Sequence, residues 1–381
     1  MLEINEIFEK KTELLCNGLF LDKNLVDYYL KQGIEIDFGR KGGAGPSGGR
    51  YFLFEDNTLV NVALWDNIKR TPLVLGEKKD ENFQISNSKK KEIFAELRLV
   101  PNPDFYDPSY MTTDGIPMKK IALVHGIDCL SSTIYQKCVY WACGEACKFC
   151  GVELSLESDS TILEKNAQQM NEVITAAKKE NRCSHMTLTS GTDSTLDKGV
   201  NRYVEMLRGI KKENPDLPLH VQIEPLDDLT LIDQLKDAGA DTIGIHIEIL
   251  DNKIREMMTP GKAHIPYQSF EDNWIHAVDV FGKNQVESFI LTGLGESPDT
   301  LIKDLENLCS IGVIPFITPV RSIPGKTNFP KMEVSTLVNI YRETAIMMKS
   351  FGVNPLDHKA GCVKCGGCSA ISEAYKTIRK R

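Results

Sequence analysis

The chain opens on two stretches whose apolar residues recur every three or four positions. Residues 3–16 and 22–33 therefore predict short amphipathic helices. A glycine-rich run follows, Gly39 to Gly49. Alternating apolar residues then predict a β-hairpin: Tyr51 to Phe54, a turn at Glu55-Asp56-Asn57, and Leu59 to Leu64. Residues 76–92 are so densely charged that they predict an exposed linker. From about residue 116 the rhythm changes. Short apolar runs at 121–124, 131–135, 186–189, 219–223, 241–247, 288–291 and 313–317 predict strands. Helical periodicity at 161–180, 197–213, 228–238, 251–258, 267–281, 298–310 and 333–350 lies between or after them. About six strand–helix units at this spacing imply a parallel sheet covered by helices, and six suit an open, partial (β/α)6 barrel. The expected class is α/β. An N-terminal α+β extension spans 1–115, the barrel core 116–355, and a cysteine-rich tail 356–381. Ligands in such folds gather at the carboxyl ends of the strands.

The chain has 381 residues and a net charge of −8, which argues against general nucleic-acid binding. No apolar run reaches the length of a membrane span, and the mixed acidic start at Met1-Leu2-Glu3 is unlike a secretion signal. Eleven cysteines, an odd number in two tight clusters, fit metal binding in a reducing cytoplasm better than a disulfide scaffold. Isolated cysteines such as Cys16, Cys183 and Cys309 read as small core residues. The Gly39–Gly49 run lacks the Lys-Ser/Thr ending and following helix of a P-loop. A lid, or a loop approaching substrate backbone, suits it better.

The first cluster is Cys143-Gly144-Glu145-Ala146-Cys147-Lys148-Phe149-Cys150, a Cx3Cx2C spacing just after the first core strand. Three thiolates can wrap one small metal site but cannot alone close a tetrahedral zinc site. A cuboidal [4Fe–4S] cluster held by three of them keeps one iron free for another molecule. A structural zinc with a fourth ligand from elsewhere, or buried thiols, are the alternatives. The motif, with aromatic Phe149 before its last cysteine and a βα pattern after it, resembles that of radical S-adenosylmethionine (radical SAM) enzymes. The resemblance implies that Cys143, Cys147 and Cys150 hold the reactive cluster and that its open iron binds SAM. It further implies reductive cleavage of SAM to a 5′-deoxyadenosyl radical, with ferredoxin or flavodoxin as a low-potential electron donor.

Further candidates stand at strand ends. Thr189-Ser190-Gly191-Thr192 follows the second strand. Gly191 lets backbone approach a ligand, and the matching radical SAM segment meets the SAM amino group. Glu224 ends the third strand. His246 and Glu248 share one face at the end of the fourth, with Arg255 on the next helix. A zwitterionic amino acid needs acceptors and a cation, and arginine pairs with a carboxylate in bidentate geometry. Glu224, Glu248 and Arg255 are therefore candidate SAM contacts. Arg321, after the sixth strand, is a candidate substrate contact, with a structural ion pair as the alternative.

The segment from His246 to Lys262 resembles lipoyl synthases. Gly293-Leu294-Gly295-Glu296 resembles the Gly-x-Gly-Glu segment of lipoyl and biotin synthases, which makes Gly293 and Gly295 cofactor-site candidates. A second cluster, Cys362-Val363-Lys364-Cys365-Gly366-Gly367-Cys368, has the compactness of a ferredoxin-like run. It is read as a second [4Fe–4S] site, with zinc as the alternative. Its fourth ligand is open among His358, Cys129, Cys138, a hydroxyl and substrate. Cys138 could equally join the first site. Lipoyl synthases carry their auxiliary cysteines before the SAM motif, whereas here they are C-terminal. That departure leaves the two-protein, archaeal-type lipoyl synthases, with a second radical SAM protein as partner, and a radical SAM family of nitrilase gene clusters. The leading expectation is sulfur insertion into an acyl substrate such as octanoyl on a carrier lysine, the tail cluster donating sulfide. The rival is carbon-skeleton, C–C bond or methylation chemistry with a substrate-binding or electron-transfer auxiliary cluster. A metal-stabilised scaffold without catalysis is the reading from another class. The extension and the tail are expected to cap the barrel mouth.

Overall fold

The computed structural model describes residues 2–34, 36, 49–323 and 326–378. The lid or loop expected at Gly39–Gly49 lies outside the described residues but for Gly49.

The extension begins with α1 (Ile4–Asn17), β1 (Leu19–Phe20) and α2 (Lys23–Leu30), as the helical periodicity predicts. It continues as β2 (Arg50–Leu53), β3 (Leu59–Val62), β4 (Leu64–Trp65), β5 (Leu73–Lys79), β6 (Asn82–Asn87) and β7 (Glu92–Leu99). The sheet order is β3-β2-β7-β6-β5-β1-β4. The hairpin of β2 and β3 pairs antiparallel, Phe52 opposite Val60. The linker expected at 76–92 is absent: β5, β6 and β7 form an antiparallel meander through it. Leu73, Leu75, Phe83, Ile85, Phe94 and Leu97 are buried on one face while the lysines and glutamates between them face water. Half-buried antiparallel strands take this alternation.

The second sheet is the barrel. The first strand, expected at 121–124, starts later than that, because residue 121 ends a helical turn, α3 (Met118–Ile121). The short β8 (Leu123–His125) follows and pairs antiparallel with β9 (Cys129–Thr133). Two further turns flank the first cysteine loop, α4 (Val139–Ala142) and α5 (Leu154–Glu157). Strand and helix then alternate: α6 (Ala167–Lys179), β10 (His185–Thr189), α7 (Val200–Glu213), β11 (Leu219–Ile223), α8 (Thr230–Asp237), β12 (Thr242–Ile245), α9 (Asn252–Met258), α10 (Tyr267–Phe281), β13 (Val286–Thr292), α11 (Pro298–Ile311), β14 (Ile314–Pro319) and α12 (Val334–Ser350). The six strands β9 to β14 are parallel and adjacent in chain order. β14 and β8 are the two edges, so the barrel is open. It is the partial (β/α)6 barrel expected.

Local chemistry sets the helix ends. Asn166 and Gln169 form a reciprocal capping box at α6. Ser297 caps α11 ahead of Pro298, and Gly312 ends it in the left-handed region, where a side chain would be strained. β9 and β12 are buried along their whole length, as strands covered on both faces must be.

The tail adds α13 (Gly361–Cys365) and α14 (Ile371–Thr377). It does not cap the mouth. Gly361 N–H donates to His185 Nδ1 at the start of β10 (3.2 Å), and Thr242 at the start of β12 donates to the Ala360 carbonyl (3.4 Å). The tail thus enters at the amino ends of the strands. α14 lies against α1 and α12. Lys11 of α1 joins it, with Nζ 2.7 Å from the buried Glu373 carboxylate and 2.8 Å from the Gly366 carbonyl.

Candidate functional site

The first cysteine loop is held in place by backbone. Cys150 N–H donates to Cys147 O (3.0 Å), closing the loop on itself. Lys148 N–H reaches Met258 O (2.9 Å) at the end of α9, and Gly261 N–H reaches Glu145 O (3.2 Å). Gly261 is required here, because a Cβ would sit 2.2 Å from the Tyr140 ring. Across the loop, Gly191 lies against the backbone of Lys137, whose carbonyl a Cβ would meet at 1.9 Å.

Beneath the loop, at the carboxyl ends of β9 to β12, lies a cavity of about 200 Å³. Cys147, Cys150 and Phe149 line it, together with Ser190, Gly191, Thr192, Glu224, His246 and Glu248. So do Cys138, Tyr140, Lys198, Gln222 and Lys262. Most of the expected SAM contacts therefore meet around one space, with Cys143 exposed on the loop above.

Two charge pairs organise the wall. Glu224 accepts from Tyr140 Oη (3.1 Å) and Thr192 Oγ1 (3.0 Å), and Lys198 Nζ stands 3.3 Å away. Burial, then Glu224, pushes the Tyr140 phenol upward, so it stays a donor. Glu248 faces Lys262 at 2.6 Å, and Lys262 also donates to the His246 carbonyl (2.8 Å). Burial raises the Glu248 carboxyl while Lys262 opposes the shift. Burial disfavours the Lys262 ammonium, yet Glu248, Cys147 and Glu224 together carry it above the usual lysine range. Glu248 holds a left-handed φ of 58°, a conformation that costs a non-glycine residue energy and clusters at functional sites. A bridge to Ile290 over-determines it, with Glu248 N–H donating to Phe289 O (3.0 Å) and Leu291 N–H to Glu248 O (2.8 Å).

The residues fit the implied cofactors. His246 stacks on Phe289 at 4.1 Å, and its Nδ1 accepts from Phe289 N–H (3.2 Å). The ring proton is thereby placed on Nε2, which is buried without a protein partner and offers a donor to a ligand. Burial lifts the Cys147 thiol well above its ordinary value and the Cys150 thiol to about 11. Buried thiols of this kind ionise when a metal supplies the opposing charge. The chemistry of the set suits a cluster.

Four expected residues stand elsewhere. Arg255 is buried on α9 with its guanidinium 3.2 Å from Asn252 Oδ1 and over the Phe270 ring, outside the cavity lining. Gly293 and Gly295 hold left-handed φ angles of 92° and 102° in the turn after β13. There the Glu296 carboxylate caps Gly293 N–H (2.6 Å) and Leu294 N–H (2.8 Å). Arg321 donates to the side chain and carbonyl of Asn61 in β3, beside Cys368. Tyr140, Lys198 and Lys262 were missed. Lys262 belongs to the segment His246–Lys262, but its 14-residue separation from Glu248 carries no periodic signal.

The tail cysteines form a second constellation inside the barrel. Gln222 Nε2 lies 3.6 Å from Cys362 Sγ. Cys129, at the start of β9, donates its thiol proton to Cys365, which raises Cys129 and lowers Cys365. Burial pushes Cys368 up to about 12, against Arg321, with Tyr51 hydrogen-bonded to it. Gly126 permits this approach, since a Cβ there would stand 3.2 Å from Cys365 Sγ. Of the open fourth-ligand candidates, Cys129 stands with the tail set, Cys138 with the first site, and His358 faces Glu287. A separate cavity of about 400 Å³, lined by Asp128, Lys364 and Cys365, opens on the outer side of the tail loop.

Residues 139–308 match the family model of the Radical SAM superfamily. No curated protein matches the chain. Among solved structures the chain is similar to methylornithine synthase (PylB), at 17% identity over 66% of this chain and 70% of that one, TM-score 0.46. It is also similar to the FeFe-hydrogenase maturase HydG from Carboxydothermus hydrogenoformans, at 17% identity, 60% and 53% coverage, TM-score 0.45. A radical SAM methyltransferase from Sphaerobacter thermophilus is similar at 13% identity, 76% and 78% coverage, TM-score 0.44. The chain spans 53% of the HydG chain's length. No helix among the described residues is long and apolar enough to cross a membrane. The family implies a [4Fe–4S] cluster and SAM, the pair that the three-thiol loop and the cavity beneath it accommodate. The family match falls on that loop and on strands β10 to β13, so it is this part of the chain, residues 139–308, that carries the radical SAM superfamily pattern.

Proposed function

We propose that this enzyme abstracts hydrogen from an unactivated carbon of a substrate held inside the barrel, and that a second [4Fe–4S] cluster on Cys362, Cys365 and Cys368 meets that substrate from the opposite end. When bound, the first cluster and SAM supply the 5′-deoxyadenosyl radical. The chain's own residues do the rest. Cys143, Cys147 and Cys150 hold the cluster. Thr192, Tyr140 and Lys198 fix the Glu224 carboxylate, and Lys262 fixes Glu248, so both acceptors are oriented before a zwitterion arrives. The His246 Nε2 donor and the apolar Leu226 and Val200 complete a lining that excludes water around a reactive species.

The observation that carries the proposal is Gln222. Its side chain lines the SAM cavity and also reaches Cys362 Sγ. One residue separates the two cofactor positions, so substrate between them would face both. That geometry favours sulfur insertion, with an acyl chain such as octanoyl on a carrier lysine as substrate and the tail cluster as sulfide donor. A ferredoxin- or flavodoxin-like reductant and a second radical SAM protein are the partners this reading calls for. One observation favours the rival. Cys129 beside Cys365 offers a fourth thiol, and a cluster with four thiolates is suited to electron transfer rather than to giving up sulfide. Its outcome would be carbon-skeleton, C–C bond or methylation chemistry.

Anaerobic turnover with an octanoylated carrier peptide tests the choice. Sulfur insertion predicts a peptide heavier by sulfur and loss of the tail cluster's iron within one turnover. Repeated turnover with tail iron intact and no thiolated product would remove it.

A further inference from the structure

On the barrel floor, His220 of β11, Glu287 of β13 and His358 of the tail converge with no solvent exposure. His220 Nε2 stands 3.3 Å from Glu287 Oε1, and His358 Nε2 stands 3.5 Å from Glu287 Oε2. Among the described residues, these three alone bring ligand atoms of His, Cys, Asp or Glu within 4.8 Å of one another. His220 Nε2, His358 Nε2 and Glu287 Oε1 are all buried and none makes a well-aligned hydrogen bond, although His220 Nε2 and Glu287 Oε1 face each other at 3.3 Å. Three orphaned polar atoms in one dry spot carry a heavy desolvation cost unless something joins them.

Hydrogen bonds on the far side of each ring say what joins them. His358 Nδ1 lies 2.7 Å from the Asn284 carbonyl, which can only accept. The proton is therefore on Nδ1, and Nε2 presents a lone pair. Thr242 donates its hydroxyl proton to the Ala360 carbonyl (3.4 Å), so its oxygen accepts from His220 Nδ1 (2.8 Å). His220 Nε2 likewise presents a lone pair. Glu287 Oε2 accepts from Val363 N–H (3.2 Å), which leaves Oε1 free. Two imidazole lone pairs and a carboxylate oxygen then face one point with no proton among them. Metal-ligating histidines are oriented by such bonds from the other ring nitrogen. His246, close by, has the opposite tautomer and is excluded as a ligand.

We propose that His220, Glu287 and His358 bind a divalent transition-metal ion, with zinc the best fit. Zinc takes imidazole nitrogen and carboxylate oxygen at about 2.0–2.2 Å, and a tetrahedral ion with such bonds sets its ligand atoms about 3.3–3.6 Å apart. The 3.3 Å from His220 Nε2 to Glu287 Oε1 matches an edge of that figure, and the ligand atoms of all three residues lie within 4.8 Å of one another. Softness argues the same way, since two imidazoles and one carboxylate suit zinc or iron(II) and not calcium or magnesium. The rings are packed for the purpose. Gly361 holds a φ of 86°, and a Cβ there would meet the His220 ring at 2.4 Å. A Cβ on Gly244 would stand 2.4 Å from the His246 ring and 3.2 Å from His220 Nε2. The ion ties the tail to two barrel strands just before Cys362. Its role is to fix the tail cysteine loop to the floor, and the buried position is that of a structural site.

The test is zinc bound by the whole protein. Wild-type chain is loaded with zinc, passed through a weak chelator and analysed for metal per chain and by zinc-edge X-ray absorption. The expected result is about one zinc in a nitrogen/oxygen shell near 2.0–2.1 Å. His358→Gln and His220→Gln should each lose at least four-fifths of it. No retained zinc in folded wild type would overturn the proposal. So would a sulfur shell near 2.3 Å, which would assign the ion to a cysteine loop, or full zinc retention in His358→Gln. Should the variants fail to fold, zinc-edge anomalous diffraction from wild-type crystals decides: a peak among the three residues supports the site, and a peak elsewhere or none removes it.

Discussion

The paired charges of the cavity beneath the first cysteine loop are set residue by residue. Glu248 sits in a strained backbone conformation and is neutralised by Lys262 at 2.6 Å. Removing the ammonium leaves a nearly buried carboxylate unpaired, a loss of about 2–3 kcal/mol. Lys262→Met should lower the urea midpoint accordingly and depress 5′-deoxyadenosine formation at least tenfold. An unchanged midpoint would show that the pair is not formed. Lys262 was illegible because only the return of the chain after α9 brings it to Glu248. Glu224, His246 and Glu248 were legible because strand ends of a parallel barrel announce their own position. Titration follows from the same burial. Desolvation lowers His185 to about 4 and His246 to about 3, from 6.5. Both bases bind a proton more readily unfolded than folded, so stability is full above the unfolded value near 6.5. It falls on acidification from there towards pH 4. The slope is about 1.4 kcal/mol per pH unit for each imidazole. Urea melts between pH 7 and 5 should show this fall. His185→Asn, which removes one of the depressed imidazoles, should make the fall shallower.

At the scale of elements, the six parallel strands and their helices were readable because periods of 2 and 3.6 switch regularly along the chain. The extension was harder. In β5 to β7 lysines and glutamates fill the water-facing positions so densely that the alternation of Leu73, Leu75, Phe83 and Ile85 was hidden. Charge on one face of a strand is compatible with a buried other face, and composition averages the two. The β10–α7 turn makes a sharper claim. Gly191 stands where a Cβ would be 1.9 Å from the Lys137 carbonyl, and backbone cannot yield as a flexible side chain can. Gly191→Ala should push the cysteine loop away from β10. The expected result is a folded protein, by circular dichroism, that binds SAM at least tenfold more weakly. Wild-type affinity in that variant would mean that the turn does not shape the cavity.

At the scale of the molecule, the tail was legible as a motif but not as a place. Its cysteines could be read as a metal loop, yet nothing local said that they enter the barrel from the floor. Cys129 and Cys138 lie nine residues apart and belong to opposite ends of the barrel, a division made by β9 running between them. The buried Lys11–Glu373 pair is what holds the tail's last helix to the extension. Lys11→Met leaves Glu373 buried and uncompensated, and should cost about 3–5 kcal/mol. Limited proteolysis should then cut first near residues 366–370 in the variant and not in wild type. The central claim is that two separate cysteine sets serve two ends of one barrel, with only Cys143, Cys147 and Cys150 cleaving SAM. The most direct measurement is anaerobic reconstitution followed by iron counting and a 5′-deoxyadenosine assay, with SAM and dithionite. Three proteins are compared: wild type, Cys143→Ala/Cys147→Ala/Cys150→Ala, and Cys362→Ala/Cys365→Ala/Cys368→Ala. The account predicts about eight iron in wild type and about four in each variant, with 5′-deoxyadenosine lost only in the first. Formation of 5′-deoxyadenosine by the first variant, or none from fully reconstituted wild type, would contradict it.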